Sequence, residues 1–183
     1  YFSTIFVLGV IFQAVYYIVE GGIYVVNIFI TFSFSVAVIY ALQYLIYNPY
    51  EFGLFFGLNE LFFAGAYWQI LSSMFIHGSF MHILMNMAVL FQFGSILERY
   101  LGWVKFGILY IVGGVITGLL SLGYLAFESV NLVGASGAIS VLLGFLAYID
   151  RFNRKGLIIV ILLVSFAPLL IGVSVAWYAH LIG

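Results

Sequence analysis

Asn131-Leu132-Val133-Gly134-Ala135-Ser136-Gly137-Ala138 leads out of a loop into an apolar stretch that runs to about Tyr148. A helix entered through these small residues carries Ser136 at its start, where the first backbone N–H groups lack intrahelical partners and hold the positive end of the helix dipole. Negative charge developing beside the Ser136 oxygen is stabilised there. Gly134 and Gly137 leave room for another backbone to come close. That room suits a nucleophile reaching a peptide carbonyl, and it equally suits tight helix packing, for which Gly-x-Ser-Gly is common in helical membrane proteins. The stretch alone does not choose between the two.

Composition fixes the class. The 183 residues are 66% hydrophobic and 6% charged, outside the balance of a soluble domain and inside that of an all-α, polytopic membrane protein. A net charge of −1 with five basic residues argues against nucleic acid as a partner, because phosphate binding needs clustered Lys and Arg. The absence of cysteine excludes disulfides, thiolate metal sites and a Cys nucleophile. Tyr1 is not an initiator Met and Gly183 falls in an apolar helical run, so the chain is expected to be a fragment whose last helix is truncated.

Working upstream from Ser136, Glu128 and Asn131 mark the preceding loop, and an apolar run from Lys105 to about Ala126 offers Gly114-x-x-x-Gly118 as a close-packing face. Another spanning run covers roughly Met81 to Tyr100 and ends at Glu98-Arg99. Tyr50 to Trp68 mixes Glu51, Asn59 and Glu60 with many aromatics. That mixture is too polar to span and too apolar for a free loop, so it reads as an interfacial outer segment with aromatic anchors. Before it, Val25 to Tyr47 is a spanning helix stopped by Asn48-Pro49. Phe2 to Val19 is apolar and either spans or lies in the interface. Downstream, the Ser136 helix closes at the polar turn Asp150 to Lys155, Gly156 to Phe166 starts a fifth core helix that Pro168 ends or kinks, and Val175 opens a sixth.

All five basic residues lie in two connections, Arg99 with Lys105 and Arg151 with Arg154 and Lys155. If every core helix spans, these share one side, which the positive-inside rule makes cytoplasmic. Counting at about 1.5 Å per residue then puts Asn86 roughly 20 Å above Arg99 and Ser136 roughly 22 Å above Arg151. His180 lies roughly 10 Å below the outer surface of a ~30 Å core, the same level. Polar side chains at such depth are costly and functional by default. Ser136 and His180 form the one Ser–His pair that this reckoning brings together, and His82 and Asn86, at i and i+4, supply N–H donors on one face. No carboxylate shares that level, so the expected unit is a dyad.

These residues carry a resemblance. His77-Gly78-Ser79-Phe80-Met81-His82-Ile83-Leu84-Met85-Asn86 resembles the His-x4-His-x3-Asn signature of the rhomboid intramembrane serine proteases. Gly134-Ala135-Ser136-Gly137 is similar to that family's nucleophile motif, Ala179-His180-Leu181-Ile182-Gly183 to its Ala-His-x-x-Gly, and Gly94 to Gly102, with Glu98 and Arg99 inside, to its Gly-x3-Glu-x3-Gly. The resemblance covers about residues 25 to 183. It implies a six-helix bundle over residues 23–183, with residues 1–22 as an additional helix ahead of it. Ser136 is then the nucleophile, His180 the general base, and His82, Asn86 and the Ser136 backbone N–H the oxyanion hole, with His77 a structural member of the outer loop. Where the family usually has Trp-Arg, this chain has Trp68-Gln69.

The implied activity is a serine endopeptidase that cuts transmembrane helices of other proteins near the outer face, in a bilayer expected to be a bacterial inner membrane. It calls for no metal or cofactor. The competing reading is a non-proteolytic polytopic protein, a transporter or a rhomboid-like binder.

Overall fold

The computed structural model describes residues 28–45, 48–127, 129–170 and 177–183; residues 1–22, expected to form an additional helix, and Glu128 lie outside them. Among the described residues the elements are helical: α1 (Ile28–Leu45), α2 (Pro49–Phe56), α3 (Gln69–Ser72), α4 (Phe80–Leu101), α5 (Trp103–Ser121), α6 (Ser136–Ile149), α7 (Arg154–Leu170) and α8 (Trp177–Ile182), with short 3-10 turns at Glu60–Phe62, Ser73–Phe75 and Leu122–Ala126. An isolated antiparallel bridge pairs Leu58 with Leu132. Among the described residues two helices are long and apolar enough to cross a membrane, Phe80–Leu101 and the run Trp103–Tyr124.

Local chemistry sets most boundaries. Asn48 accepts a hydrogen bond from the Tyr50 N–H while Pro49 opens α2, an N-cap followed by proline at the first helical position. Ser79, extended at φ −159°, caps α4 by accepting from the His82 N–H at 3.2 Å. Gly102 alone separates α4 from α5. Its φ of +77° is open to glycine at little cost, and its N–H closes α4 on the Glu98 carbonyl at 2.8 Å. Helix therefore begins at Trp103, two residues before the charge-based boundary at Lys105.

At the other basic turn, Asp150 accepts from both the backbone and side-chain N–H of Asn153, at 3.0 and 2.8 Å; these bonds hold its carboxyl below the usual carboxylate range. Arg154 belongs to α7 and reaches back to the end of α6, donating to the Ala147 and Tyr148 carbonyls at 2.8 and 3.1 Å. Those carbonyls are among the four that a helix C-terminus leaves unpaired. Helix α7 continues through Pro168 to Leu170, so of the two expectations for the proline, an end or a kink, it does not end the helix at that residue.

Helix α6 is the centre, packed against α4, α5, α7 and α8. Its glycine-rich contacts explain how. A Cβ on Gly113 would stand 2.7 Å from Val141, and one on Gly137 would stand 2.9 Å from Thr117, so α5 and α6 approach at backbone distance. On the other flank a Cβ on Gly183 would meet the Gly137 carbonyl at 2.6 Å and Ser140 Cβ at 2.9 Å. The small-residue faces of α6 and α8 thus pack on each other. Gly114 and Gly118 behave differently from the helix-packing face their spacing suggested. Besides Ala138 of α6, they receive the side chains of Met74, Ile70 and Leu58 from the outer segment.

Candidate active site

Four hydrogen bonds from its backbone hold the loop that delivers Ser136. Leu132 exchanges two backbone bonds with Leu58, at 2.9 and 2.8 Å. The Gly134 N–H donates to the Ser73 carbonyl at 2.8 Å. The Ala135 N–H points at His77 Nε2, 3.5 Å away. Asn131 adds a side-chain stitch, donating to the Gly53 carbonyl at 3.0 Å and accepting from Asn59 Nδ2 at 3.0 Å. The loop is therefore pinned along its length to the 53–77 segment before Ser136 opens α6.

His77 lies just before Ser79, the cap of α4. It is fully buried, its carbonyl accepts from Gln43 Nε2 of α1 at 3.0 Å, and its ring lies edge-on to His82 with centroids 5.0 Å apart. Burial, and secondarily the His82 ring, push the His77 imidazole down to about 3 against a smaller pull from the Phe75 carbonyl. A neutral ring has a lone pair to offer the Ala135 N–H.

Gln69, at the position where the motif usually has arginine, is also fully buried. Its amide donates to the Leu54 and Phe55 carbonyls at 3.1 and 3.3 Å and accepts from the Asn59 N–H at 3.3 Å. Trp68 Nε1 shares the Phe55 carbonyl at 3.0 Å. A neutral amide thus anchors the outer segment. Gln69→Leu is expected to lower stability by about 1–3 kcal/mol, because it strands the buried Asn59 N–H. Detergent-phase unfolding of the two proteins measures it.

The oxyanion candidates converge on Gly134. With φ at +116°, it presents its α-carbon so that a Cβ there would stand 2.7 Å from His82 Cε1 and Nε2 and 3.6 Å from Asn86 Nδ2. Asn86 is 5% exposed, and its amide also donates to the His82 carbonyl one turn back, at 3.1 Å. The first N–H groups of α6, at Ser136, Gly137 and Ala138, have no carbonyl four residues earlier within the helix.

Ser136 and His180 lie on adjoining helices, α6 and α8, and are 9% and 5% exposed. They make no hydrogen bond to each other among the described residues. Catalytic hydrogen bonds are often long in an unliganded enzyme and tighten with substrate. His180 Nδ1 is buried with no partner among the described residues. Ser136 also borders a cavity of about 40 Å³ lined by Ser73, Thr117, Ser121, Gly137 and Ala179, among others. The Ser121 hydroxyl is buried with no partner among the described residues. Volume and polarity suit at least one water molecule.

The remaining motif residues sit at the far end of α4. Gly94 and Glu98 are buried on one face, whereas Arg99 is exposed and donates to the Ser95 carbonyl at 3.1 Å. Among the described residues no three His, Asp or Glu side chains come together as a metal-binding group. Ser73, Leu58 and Gln43 were not singled out by sequence. Two of them act through backbone atoms, which leave no trace in residue identity.

The family model for the Rhomboid domain matches residues 64–183. Over 97 residues the chain is 31% identical to the Rhomboid protease GluP of Bacillus subtilis (strain 168), a match covering 53% of this chain and 18% of that protein. The chain thus spans under a fifth of the length of this curated relative.

Proposed function

This chain belongs to the rhomboid family, whose members are integral to membranes, and from that premise we propose that it is an intramembrane serine endopeptidase working through Ser136 and His180. The observation that carries the reading is the approach of Gly134 to His82 and Asn86, which brings two side-chain donors beside the helix start that bears Ser136. In this reading the Ser136 hydroxyl attacks a peptide carbonyl of another protein's transmembrane helix while His180 takes its proton. The oxyanion is held by His82, Asn86 and the Ser136 N–H. His180 returns the proton to the leaving amine. A water from the cavity beside Ser136, deprotonated by the same imidazole, then cleaves the acyl-enzyme.

Six spans over residues 23–183 follow, with the basic turns cytoplasmic and the site reached from the outer side. A helix hides its carbonyls in its own hydrogen bonds, so the favoured substrates unravel easily near that surface through Gly, Pro or small residues. The exposed Tyr50, Phe63, Tyr67 and Trp68 suit an interfacial anchor for the outer segment.

The test is chemical. An imidazole-assisted serine reacts with fluorophosphonates and a packing serine does not, so full-length protein in detergent is expected to take the label at Ser136, located by peptide mass spectrometry. Folded protein that neither takes the label nor cuts any transmembrane substrate returns the reading to a transporter or binder. Within the proposed mechanism, Asn86→Ala is expected to cost about 1–3 kcal/mol in kcat/KM, because one of several oxyanion donors is lost. Unchanged turnover in a destabilised protein would instead make Asn86 interhelical glue.

A further inference from the structure

Among the described residues, what can orient His180 acts on its helix and not on its ring. Among the described residues Nδ1 has no hydrogen-bond partner, so no acceptor fixes the plane or tautomer of the imidazole. Its location is then set by how α8 is held. Two consecutive aromatic rings hold it. Trp177 stacks on Phe166 of α7, with centroids 5.9 Å apart and planes at 29°. Tyr178 lies nearly parallel to Tyr124 of the 3-10 turn after α5, with centroids 3.9 Å apart and planes at 13°.

Successive residues on a helix are about 100° apart around its axis. Two adjacent rings gripping two different neighbours therefore stop α8 from turning about its own axis. Gly183 against Gly137 and Ser140 fixes its distance from α6, but a glycine has no side chain with which to resist rotation. Of the two stacks, Tyr124–Tyr178 is the closer and more parallel. Tyr124 also lies on the connection that leads on to Ser136, so this stack links the base's helix to the segment that delivers the nucleophile.

We infer that Tyr124 and Tyr178 are positioning residues, whose stack sets the rotation of α8 and so aims the His180 imidazole at Ser136. The inference rests on the Ser136–His180 reading above. It assigns the two tyrosines a role through ring stacking and not through their hydroxyls.

The experiment measures the rate of fluorophosphonate labelling, the final labelled fraction, and kcat and KM for a transmembrane substrate, using full-length wild type, Tyr178→Phe, Tyr178→Leu, Tyr124→Phe and Tyr124→Leu. The final fraction counts competent molecules, which separates misfolding from misalignment. The two Phe variants keep the stack and are expected within twofold of wild type. The two Leu variants are expected to lose at least tenfold in labelling rate and kcat per competent site with KM within twofold, and the double Leu variant to be no slower than the worse single one. Leu variants that react at the wild-type rate per site overturn the inference, as do Phe variants that fall as far as the Leu ones. If Tyr178→Leu does not fold, Tyr124→Leu removes the same stack without touching α8 and decides alone. Wild type that takes no label defeats the Ser136–His180 reading itself, and the inference with it; wild type that labels with unaffected Leu variants defeats the inference only.

Discussion

Ser136→Ala and His180→Ala are each expected to reduce cleavage of a transmembrane substrate by about 10⁴-fold or more, with the double variant no slower than the single ones. A nucleophile and its base act as a unit. Without the imidazole, the serine hydroxyl has too high a pKa to attack at neutral pH, and without the hydroxyl the imidazole has nothing to activate. Both proteins are expected to stay folded. Ser136 borders a cavity of about 40 Å³, and His180 Nδ1 has no hydrogen-bond partner among the described residues to be left stranded. Turnover in reconstituted vesicles, beside unfolding in detergent, checks both halves. Cleavage within tenfold of wild type by either variant would mean that the dyad is not the catalytic unit.

Much of this arrangement is legible in the chain because the bilayer makes polar residues expensive. Apolar runs interrupted by charge located α4, α5 and α6. The i, i+4 spacing of His82 and Asn86 put both on one face of α4, and the structure brings that face against Gly134. What stayed hidden falls into three physical kinds. Contacts made by backbone atoms, such as Gly134 to Ser73 and Leu132 to Leu58, depend on chain path and carry no residue signature. Small-residue motifs announce space without naming what fills it: Gly183 receives α6, whereas Gly114 and Gly118 also receive Met74 and Ile70 of the outer segment. Gln69 is a third case. Its burial and three-way bonding to Leu54, Phe55 and Asn59 depend on the fold of residues 54–59, which no local pattern around Trp68 foretells.

Gly134→Ala is expected to lower kcat/KM by about 10²-fold, although it adds one methyl group and removes no polar atom. Two effects act at this position. A φ of +116° is strained for any residue with a Cβ, at about 1–3 kcal/mol. The added carbon would also sit 2.7 Å from two atoms of the His82 ring, closer than packed atoms allow. The loop cannot yield freely, because the neighbouring N–H groups of Leu132, Gly134 and Ala135 are tied to Leu58, Ser73 and His77. The displacement therefore falls on His82, Asn86 or the start of α6. A misplacement of about 1 Å there is enough for the expected loss. Gly65 supplies the control. Its φ is +106°, yet nothing lies within 4 Å of where its Cβ would be, so Gly65→Ala carries strain without collision and is expected to lose stability while keeping turnover per folded molecule. Equal kinetic losses in the two variants would trace the Gly134 effect to strain, and His82 would lose its place beside the reacting carbonyl.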